Sequence, residues 1–598
     1  MEWKHEENEK ERKKNSMLKT LGAQIKEFKK DSFITPVFMI LEVIMEMIIP
    51  LLMASLIDYG VNAGDMNHIL KTGGIMIVVA LVGLFAGIMG AKYGARASTG
   101  FARNLRKAMF ENIQTFSFAN IDKYSSSSLI TRLTTDVTNI QNAYQMMLRM
   151  AFRAPISMIV AMVMAFSINA KLASVYLIAV AILAVAIGII MPRANKYFKQ
   201  MFEKYDALNN SVQENVSAIR VVKAYVREEY EKKKFGKASE DIYDMSVRAE
   251  KLIILNSPLM QFTSYACILL ISWLGAQMIV AEGLTTGELM SLLTYCMNIL
   301  MNIMMVSMIF VMLTMSYAAA KRIAEVLNEK SDLQNPENPI MEVSDGSIEF
   351  KDVLFSYGEA DKAVLRDVNL KINTGDTVGI IGGTGSSKSS LVNLISRLYD
   401  VTSGELLVGG HNVKEYDMEV LRNEVAVVLQ KNVLFSGTIL ENLRWGNKEA
   451  TEEECRRACE LACADEFIQR MPEKYNTYIE QGGTNVSGGQ KQRLCIARAL
   501  LKKPKILILD DSTSAVDTAT DAKIRKAFAE EIPNTTKLII AQRVSSVQHA
   551  DKIIVMDHGR ISAVGTHDEL LITSDIYKEV FESQTQGSGD FDENGGDN

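Results

Sequence analysis

A loop rich in glycine and serine has the residue types and spacing that bind phosphate groups. Val378-Gly-Ile-Ile-Gly382 predicts a strand, a helix pattern begins at Ser389, and Gly382-Gly-Thr-Gly-Ser-Ser-Lys388-Ser389 lies between them. In such a loop the backbone N–H groups cradle phosphates, the lysine reaches the β- and γ-phosphates, and the hydroxyl after it holds Mg²⁺. The predicted nucleotide-binding residues are Gly382, Gly383, Thr384, Gly385, Ser386, Ser387, Lys388, Ser389 and Ser390.

Two later segments carry side chains that suit the same kind of site. Ile506-Leu-Ile-Leu-Asp510-Asp511 predicts a buried strand whose Asp510 carboxylate binds Mg²⁺, and Ile539-Ile-Ala-Gln542-Arg543 places a glutamine further along the chain. Together with the loop, they indicate that the chain binds ATP and Mg²⁺. Ser387 departs from the usual loop pattern, which has glycine there. Its side chain adds bulk where the backbone is tight but removes no donor.

The first half of the chain contains six apolar stretches that predict membrane-spanning helices, which need about 20 residues each. They lie near residues 33–57, 75–90, 155–168, 172–191, 259–281 and 289–315. The connections after the second and fourth stretches are long, polar and helical by pattern, and they carry Lys92, Arg96, Arg103, Arg106, Lys107, Lys196, Lys199 and Lys204. By the positive-inside rule these connections face the cytoplasm, together with both termini.

A short amphipathic segment precedes the first apolar stretch. One helical face carries the apolar residues and is flanked by lysines: Leu18, Leu21, Ile25 and Phe28 beside Lys19, Lys26, Lys29 and Lys30. This pattern predicts a helix that lies on the inner membrane surface. A solvated charged helix is the alternative.

Two features of the apolar stretches are candidates for contact with a transported substrate. Glu42 and Glu46 lie four residues apart on one helical face, and carboxylates in a membrane usually face a cavity or a partner. They predict either a cation-attracting cavity wall or a structural pair with Arg149 or Arg153. A methionine stripe on the sixth stretch predicts an adaptable apolar surface or ordinary core; its residues are Met297, Met301, Met304, Met308, Met312 and Met315.

Length and composition divide the chain into distinct parts. At 598 residues with a net charge of −6, the chain is too long for one core. Its mean hydropathy of +0.06 averages an apolar first half with a soluble α/β second half. We predict a cytoplasmic tail and interfacial helix (1–30), a six-helix membrane domain (31–320), a linker (321–345), a nucleotide-binding domain (346–584) and a disordered acidic tail (585–598). Six cysteines without a secretory signal argue against a disulfide framework.

A motif in the second half identifies a family. Val486-Ser-Gly-Gly-Gln490, followed by Lys491-Gln-Arg, resembles the signature of ABC transporter ATPases, with valine for the usual leucine. The residues concerned are Val486, Ser487, Gly488, Gly489 and Gln490. The resemblance implies that Tyr357 stacks on adenine, that Gln430 senses Mg²⁺ and the membrane domain, and that Asp517 lies in the loop that communicates across the dimer.

Apart from both tails, the whole chain resembles an ABC exporter half-transporter. The implied fold is an all-α six-helix membrane domain followed by an α/β P-loop ATPase domain. In this family two ATPase domains sandwich two ATP molecules, and each site combines the phosphate loop of one domain with the signature of the other. The resemblance also implies coupling helices near residues 119–124 and 221–227 that rest on the ATPase domains.

Two departures from the family pattern fall on the hydrolytic positions. Asp511 stands where the family has a glutamate base, and Gln542 stands where it has a switch histidine. Both changes in one chain resemble the degenerate site of heterodimeric bacterial exporters. A slow but active homodimer is the alternative.

These features predict one subunit of a heterodimeric exporter in a bacterial cytoplasmic membrane. The expected partners are a homologous half-transporter, membrane lipid and an amphipathic drug or lipid as cargo, with no nucleic acid. Hydrolysis takes place mainly at the partner's phosphate loop, completed by the signature of this chain. A membrane sensor that binds ATP without pumping is the second hypothesis.

Overall fold

The computed structural model describes residues 17–358, 362–511 and 516–586. The chain divides into two compact units, which we name the helical unit (Met1–Gln114 with Ser126–Glu329) and the sheet unit (Thr115–Ser125 with Lys330–Asn598). Of the predicted N-terminal tail and interfacial helix (1–30) and the predicted acidic tail (585–598), residues 1–16 and 587–598 lie outside the described residues.

The helical unit contains the predicted spans. Six of its helical stretches are long and apolar enough to cross a membrane, so the chain is a multi-pass membrane protein. The α-helices between residues 29 and 328 are α1 (Lys29–Ser55), α2 (Met66–Gln114), α3 (Phe118–Lys123), α4 (Ser126–Thr131), α5 (Val137–Ile168), α6 (Ala170–Ser217), α7 (Ile219–Ala224), α8 (Glu228–Ile253), α9 (Asn256–Val280) and α10 (Thr286–Asn328). Of these, α3 belongs to the sheet unit.

Several of these helices are longer than a bilayer requires. Helix α2 has 49 residues, which at the α-helical rise is a length of about 74 Å against a hydrocarbon core of about 30 Å. The helix therefore continues well beyond the predicted stretch at 75–90. The extension carries the basic residues of the second connection, because charged side chains are tolerated once the helix has left the apolar layer.

The amphipathic N-terminal segment is helical only in part. Residues 17–23 form a helix, and a 3₁₀ turn follows at Lys26–Phe28 before α1 begins. Leu21 and Phe28 are buried against other parts of the chain, whereas the Leu18 side chain is 55% exposed. The Asn104 side chain donates to the Gln24 carbonyl oxygen (3.1 Å), so the break in the helix is held by α2.

The sheet unit contains two larger sheets and one short pair of strands. Its strands are β1 (Ile348–Phe355), β2 (Leu365–Ile372), β3 (Thr377–Gly382), β4 (Ser403–Val408), β5 (His411–Asn412), β6 (Val425–Val428), β7 (Gly437–Thr438), β8 (Tyr478–Ile479), β9 (Ile506–Asp510), β10 (Thr536–Ile540), β11 (Lys552–Asp557) and β12 (Arg560–Gly565). The four-stranded sheet has the order β2-β1-β4-β5 and is antiparallel, and β7 pairs with β8.

The six-stranded sheet positions the predicted nucleotide site. Its order is β12-β11-β3-β10-β9-β6, and all neighbours are parallel except the edge strand β12. Strands β9 and β10 are buried along their whole length, which explains the apolar runs at residues 506–509 and 538–540.

Helices of the sheet unit connect and cover these strands. They are α11 (Lys388–Ile395), α12 (Met418–Glu424), α13 (Ile439–Leu443), α14 (Glu452–Leu461), α15 (Asp465–Gln469), α16 (Gly488–Leu500), α17 (Thr518–Glu531), α18 (His567–Thr573) and α19 (Asp575–Gln586). The Cys455 and Cys459 side chains are fully buried in the apolar core between α14 and its neighbours.

Candidate functional site

The predicted nucleotide residues meet at one edge of the six-stranded sheet. The phosphate loop follows β3, Gln542 comes just after β10, Asp510 ends β9, and Gln430 comes just after β6. These four strands are parallel neighbours in the order β3-β10-β9-β6. Their carboxyl ends therefore share one edge, which is where open α/β sheets bind ligands.

The Lys388 side chain folds back onto the predicted phosphate loop. The Lys388 Nζ donates to the carbonyl oxygens of Gly382 (2.8 Å) and Gly383 (2.9 Å), so the ammonium lies within the loop. Burial lowers the pKa of Lys388, while the nearby Asp510 and Asp511 carboxylates act in the opposite direction. A Cβ at Gly382 would lie 2.3 Å from the Met556 carbonyl oxygen, so only glycine fits there.

Ser387 adopts a backbone conformation that favours glycine. Its φ is 72° and its ψ is 26°, in the left-handed region. It is the N-cap of α11 but forms no side-chain capping bond there. A non-glycine residue in this region is strained by roughly 1–2 kcal/mol. Serine in place of glycine at position 387 therefore strains the backbone of the loop, and the Ser387 side chain forms no capping hydrogen bond that would offset this cost.

We expect Ser387→Gly to stabilise the sheet unit by about 1 kcal/mol, because glycine adopts this conformation without a Cβ clash. This corresponds to a rise in Tm of about 2 °C in a thermal unfolding scan of the full-length protein. The matched control is Ser396→Gly at the other end of the same helix, where φ is −85°. An equal rise in Tm for both variants would show that the stabilisation does not come from relief of backbone strain at Ser387.

The residues predicted to bind a metal ion are Ser389, Gln430 and Asp510. Burial raises the pKa of Asp510, and a hydrogen bond with the Ser389 side chain opposes this shift. Gln430, which adds an amide oxygen, is exposed just after β6. Hydroxyl, carboxylate and amide oxygens are the hard ligands that Mg²⁺ prefers, so these residues fit that ion.

Asp511 and Gln542 are hydrogen-bonded to each other. The Gln542 Nε2 donates to the Asp511 Oδ2 at 2.8 Å. Asp511 has a φ of 49°, and its N–H donates to the Ile540 carbonyl oxygen (3.1 Å), which fixes its backbone against β10. The carboxylate at the base position is thus held by a neutral amide.

The signature motif forms the start of α16. Ser487 is its N-cap: the Ser487 Oγ accepts from the Gln490 N–H (3.3 Å), and the Gln490 Oε1 accepts from the Ser487 N–H (3.0 Å). Ser487 and Gly488 are exposed, so the N-terminus of this 13-residue helix is open to a ligand. Backbone N–H groups at such a terminus favour anions.

Asp517 begins the next helix in a similar way. It is the N-cap of α17, where its carboxylate accepts from the Thr520 N–H (2.9 Å). The hydrogen bonds with Thr520 lower the pKa of Asp517. Of the predicted dimer-communication loop (residues 514–517), Ser514 and Ala515 lie outside the described residues.

Tyr357 lies in an aromatic cluster beside the phosphate loop helix. Its ring is 4.7 Å from Phe355 and 5.0 Å from Tyr399, and its hydroxyl is 2.9 Å from the Ser390 Oγ. Sequence reasoning missed Tyr399, whose hydroxyl donates to the Asp122 Oδ2 of α3 at 2.6 Å. Tyr399 belongs to no recognised sequence motif. The sequence indicated only that an aromatic residue lies between α11 and β4.

In the helical unit, Arg153 pairs with both candidate carboxylates. Its Nη2 lies 2.8 Å from the Glu46 Oε2 and 3.7 Å from the Glu42 Oε1. Arg149, the other predicted partner, lies against Gly94, and its Nε has no hydrogen-bond partner among the described residues. The three paired groups carry a net charge of −1 when all are ionised, and all are partly exposed.

Four methionines of the predicted stripe are exposed in the single chain. The exposed side chains are Met297, Met301, Met304 and Met308. Met312 is half-buried, and the Met315 side chain lies outside the described residues. The exposed methionines are therefore not part of the core of the helical unit.

These two units define an ATP-hydrolysing membrane transporter subunit of the ABC class. The family model of the ABC transporter transmembrane region matches residues 32–304, and the ABC transporter model matches residues 365–514. The uncharacterized ABC transporter ATP-binding protein YfiB of Bacillus subtilis is 37% identical over 548 residues, which cover 92% of this chain and 95% of that protein. The chain therefore belongs to the ABC transporter family.

Other comparisons agree with this assignment. The uncharacterized ABC transporter ATP-binding protein Rv1273c of Mycobacterium tuberculosis is 37% identical over 542 residues, covering 90% of this chain and 93% of that protein. The structure of a bacterial Atm1-family ABC exporter with ATP bound has a TM-score of 0.78 at 22% identity, covering 94% of this chain and 99% of that one. The latter similarity establishes an exporter fold.

Proposed function

We propose that this chain is one subunit of a heterodimeric ABC exporter whose own ATP site is degenerate. The observation that carries the proposal is the 2.8 Å hydrogen bond between Gln542 and Asp511, the two hydrolytic positions. In the family these positions hold a glutamate that polarises water and a histidine that contacts the γ-phosphate. Here they hold a shorter acid and a neutral amide that bind each other.

The shorter acid weakens catalysis through geometry. Aspartate lacks one methylene of glutamate, so its carboxylate is retracted by about 1.5 Å. A displacement of about 1 Å at a reacting group reduces the rate by roughly 10²-fold. Gln542 donates a hydrogen bond but carries no positive charge, so it stabilises developing phosphate charge less than a histidinium would.

Nucleotide binding is preserved by the rest of the site. In this proposal Lys388, Ser389 and Asp510 bind the phosphates and Mg²⁺, which would supply charge neutralisation at the β- and γ-phosphates when bound. Tyr357 is available to stack on adenine. The site of this chain therefore holds ATP for long periods, while the open N-terminus of α16 completes the partner's site and supports hydrolysis there.

We further propose that the exporter lies in a bacterial cytoplasmic membrane with its termini and ATPase domain in the cytoplasm. The basic connections support this orientation, and the relatives described above are bacterial. Amphipathic drugs or lipids are the proposed cargo, because exposed methionines such as Met301 and Met304 form a flexible, polarizable surface that accepts many apolar shapes.

The test of this function is vectorial transport. Inside-out vesicles that contain this chain and its partner should accumulate a fluorescent amphipathic dye only when ATP is present. ATP binding without any transport would instead favour the second candidate, a membrane sensor, which the same Asp511–Gln542 pair also fits. A pump formed from two copies of this chain would show slow transport without a partner.

If Glu42 and Glu46 line the transport pathway, Glu42→Gln with Glu46→Gln should weaken export of cationic dyes more than that of neutral dyes. The reason is the net negative charge that these carboxylates keep beside Arg153. We expect a preference change of roughly tenfold, as for a charged hydrogen-bonding pair. Transport of matched cationic and neutral dyes in vesicles measures it.

Arg153 provides the control for this experiment. The double substitution leaves its guanidinium unpaired in the membrane, which is costly. Adding Arg153→Gln removes that charge and should restore membrane insertion. Recovery of cation export together with insertion would show that the carboxylates are structural and do not contact substrate.

A further inference from the structure

The last helix of the described chain holds the loop that carries Gln542. In α19, the Gln584 Nε2 donates to the Gln542 carbonyl oxygen (2.8 Å), and the Gln584 Oε1 accepts from the Val544 N–H (2.8 Å). Both ends of one amide thus bind the backbone on either side of Arg543. We propose that Gln584 is a positioning residue that aims the Gln542 side chain at the hydrolytic position.

The loop between Gln542 and Val544 depends on these bonds. Before it, the Ala541 N–H donates to the Ile380 carbonyl oxygen of β3 (3.2 Å). After it, a short helical turn at Val544–Ser546 begins, and the Arg525 guanidinium donates to the Ser545 carbonyl oxygen (3.2 Å). Gln542 lies between these two attachments, so Gln584 fixes the backbone from which its side chain projects.

Helix α19 is a firm support for this contact. Tyr577, Phe581 and Gln584 follow the spacing i, i+4 and i+7, which places them on one face. Tyr577 is fully buried, its hydroxyl is 2.7 Å from the His567 Nδ1, and Phe581 packs on the same apolar cluster. Val544 is also part of that cluster. The helix and the loop therefore share one core, and the amide bridges the polar backbone groups at its edge.

A continuous chain of hydrogen bonds results. Gln584 binds the backbone of Gln542, and the Gln542 side chain binds the Asp511 carboxylate at 2.8 Å. Without Gln584, the loop backbone is free to move, and the Gln542 side-chain amide can then rotate away from the Asp511 carboxylate. This inference rests on the proposed role of Gln542 as the residue that contacts the γ-phosphate, so the effect should appear with ATP and not with ADP.

The experiment measures nucleotide release from the full-length chain assembled with its partner in lipid nanodiscs. After loading with radiolabelled ATP and a chase of unlabelled ATP, we expect Gln584→Ala to release ATP from the slow site about tenfold faster than wild type, the loss expected from weakened hydrogen bonds. ADP release should not change. Ser583→Ala, at an exposed neighbouring position on the same helix, is the control.

A second variant keeps the test decisive if the first fails to assemble. Gln584→Glu has nearly the same size and keeps the acceptor for the Val544 N–H, but it places a carboxylate oxygen against the Gln542 carbonyl. It should accelerate ATP release as much as Gln584→Ala. Release at the wild-type rate would overturn the proposal, and equal acceleration of ATP and ADP would do so too, because it would show general loosening.

Failure of the degenerate-site proposal would give a different result. If the site of this chain hydrolyses ATP, Asp511→Ala abolishes its turnover, and loss of Gln584 lowers kcat while KM for ATP is unchanged. That pattern would support the positioning role and overturn the degenerate site. Unchanged release together with unchanged kcat would overturn the positioning role alone.

Discussion

Gly488→Asp in this chain should reduce the ATPase activity of the assembled transporter by roughly 10²–10³-fold, whereas Asp511→Ala should leave most of the activity. Gly488 lies at the exposed N-terminus of α16, where backbone N–H groups are available to an anion. In the proposed heterodimer, a carboxylate there would repel the γ-phosphate of the partner's site. Asp511 would belong to the site that contributes little turnover, so its removal should cost little.

The ranking is unusual because the residue after the metal-binding aspartate is normally the most sensitive position of such a site. Gly488→Asp should not unfold the helix, since an acidic residue in the first turn stabilises it. Co-expression of each variant with the wild-type partner and measurement of ATPase in proteoliposomes gives the comparison. Equal damage from Asp511→Ala and Gly488→Asp would show that this chain's own site hydrolyses ATP.

Ser487→Ala should also reduce activity strongly, because in the proposed heterodimer Ser487 donates to the phosphate of the partner's site. It also removes an N-cap, which costs about 1 kcal/mol of stability. Thr566→Ala is the matched control, since Thr566 forms the same type of capping box in α18. A similar loss of activity in the control would assign the effect of Ser487→Ala to stability.

The chain purified alone should bind ATP but hydrolyse it about 10²-fold more slowly than the co-expressed pair. The retracted Asp511 carboxylate and the neutral Gln542 amide are the reason. Binding is measured by displacement of a fluorescent nucleotide, and turnover by phosphate release. The double variant Asp511→Glu with Gln542→His restores both family residues and should recover much of the turnover.

The ATPase activity of the chain purified alone also tests whether the transporter is a heterodimer. A lone-chain ATPase equal to that of the pair would contradict the heterodimer and favour a homodimer. The double variant Asp511→Glu with Gln542→His tests whether these two residues cause the slow turnover of the chain purified alone. If it stays slow while binding ATP normally, the defect lies outside the two substituted positions.

Local sequence patterns predicted most of the fold and the identity of the nucleotide site. The six spans follow from apolar runs, and the phosphate loop, the Asp510 strand and the signature follow from motifs whose residues are adjacent in the chain. Six helices among the described residues are long and apolar enough to cross a membrane, and the ABC family assignment confirms the fold class. The roles of the individual residues in the nucleotide site stay predictions. The substitutions at Asp511 and Gln542 were visible for the same reason, since residue identity at a motif position needs no structure.

Tertiary structure decided which distant side chains meet. Several contacts join residues that are far apart in sequence. Arg153 pairs with Glu42 and Glu46, Tyr399 binds Asp122, and Gln584 binds the backbone of the Gln542 loop. The strained φ of Ser387 is likewise a property of the folded loop. Periodicity reports only which face of an element is apolar, so a polar contact between separate elements becomes known only when the fold brings them together.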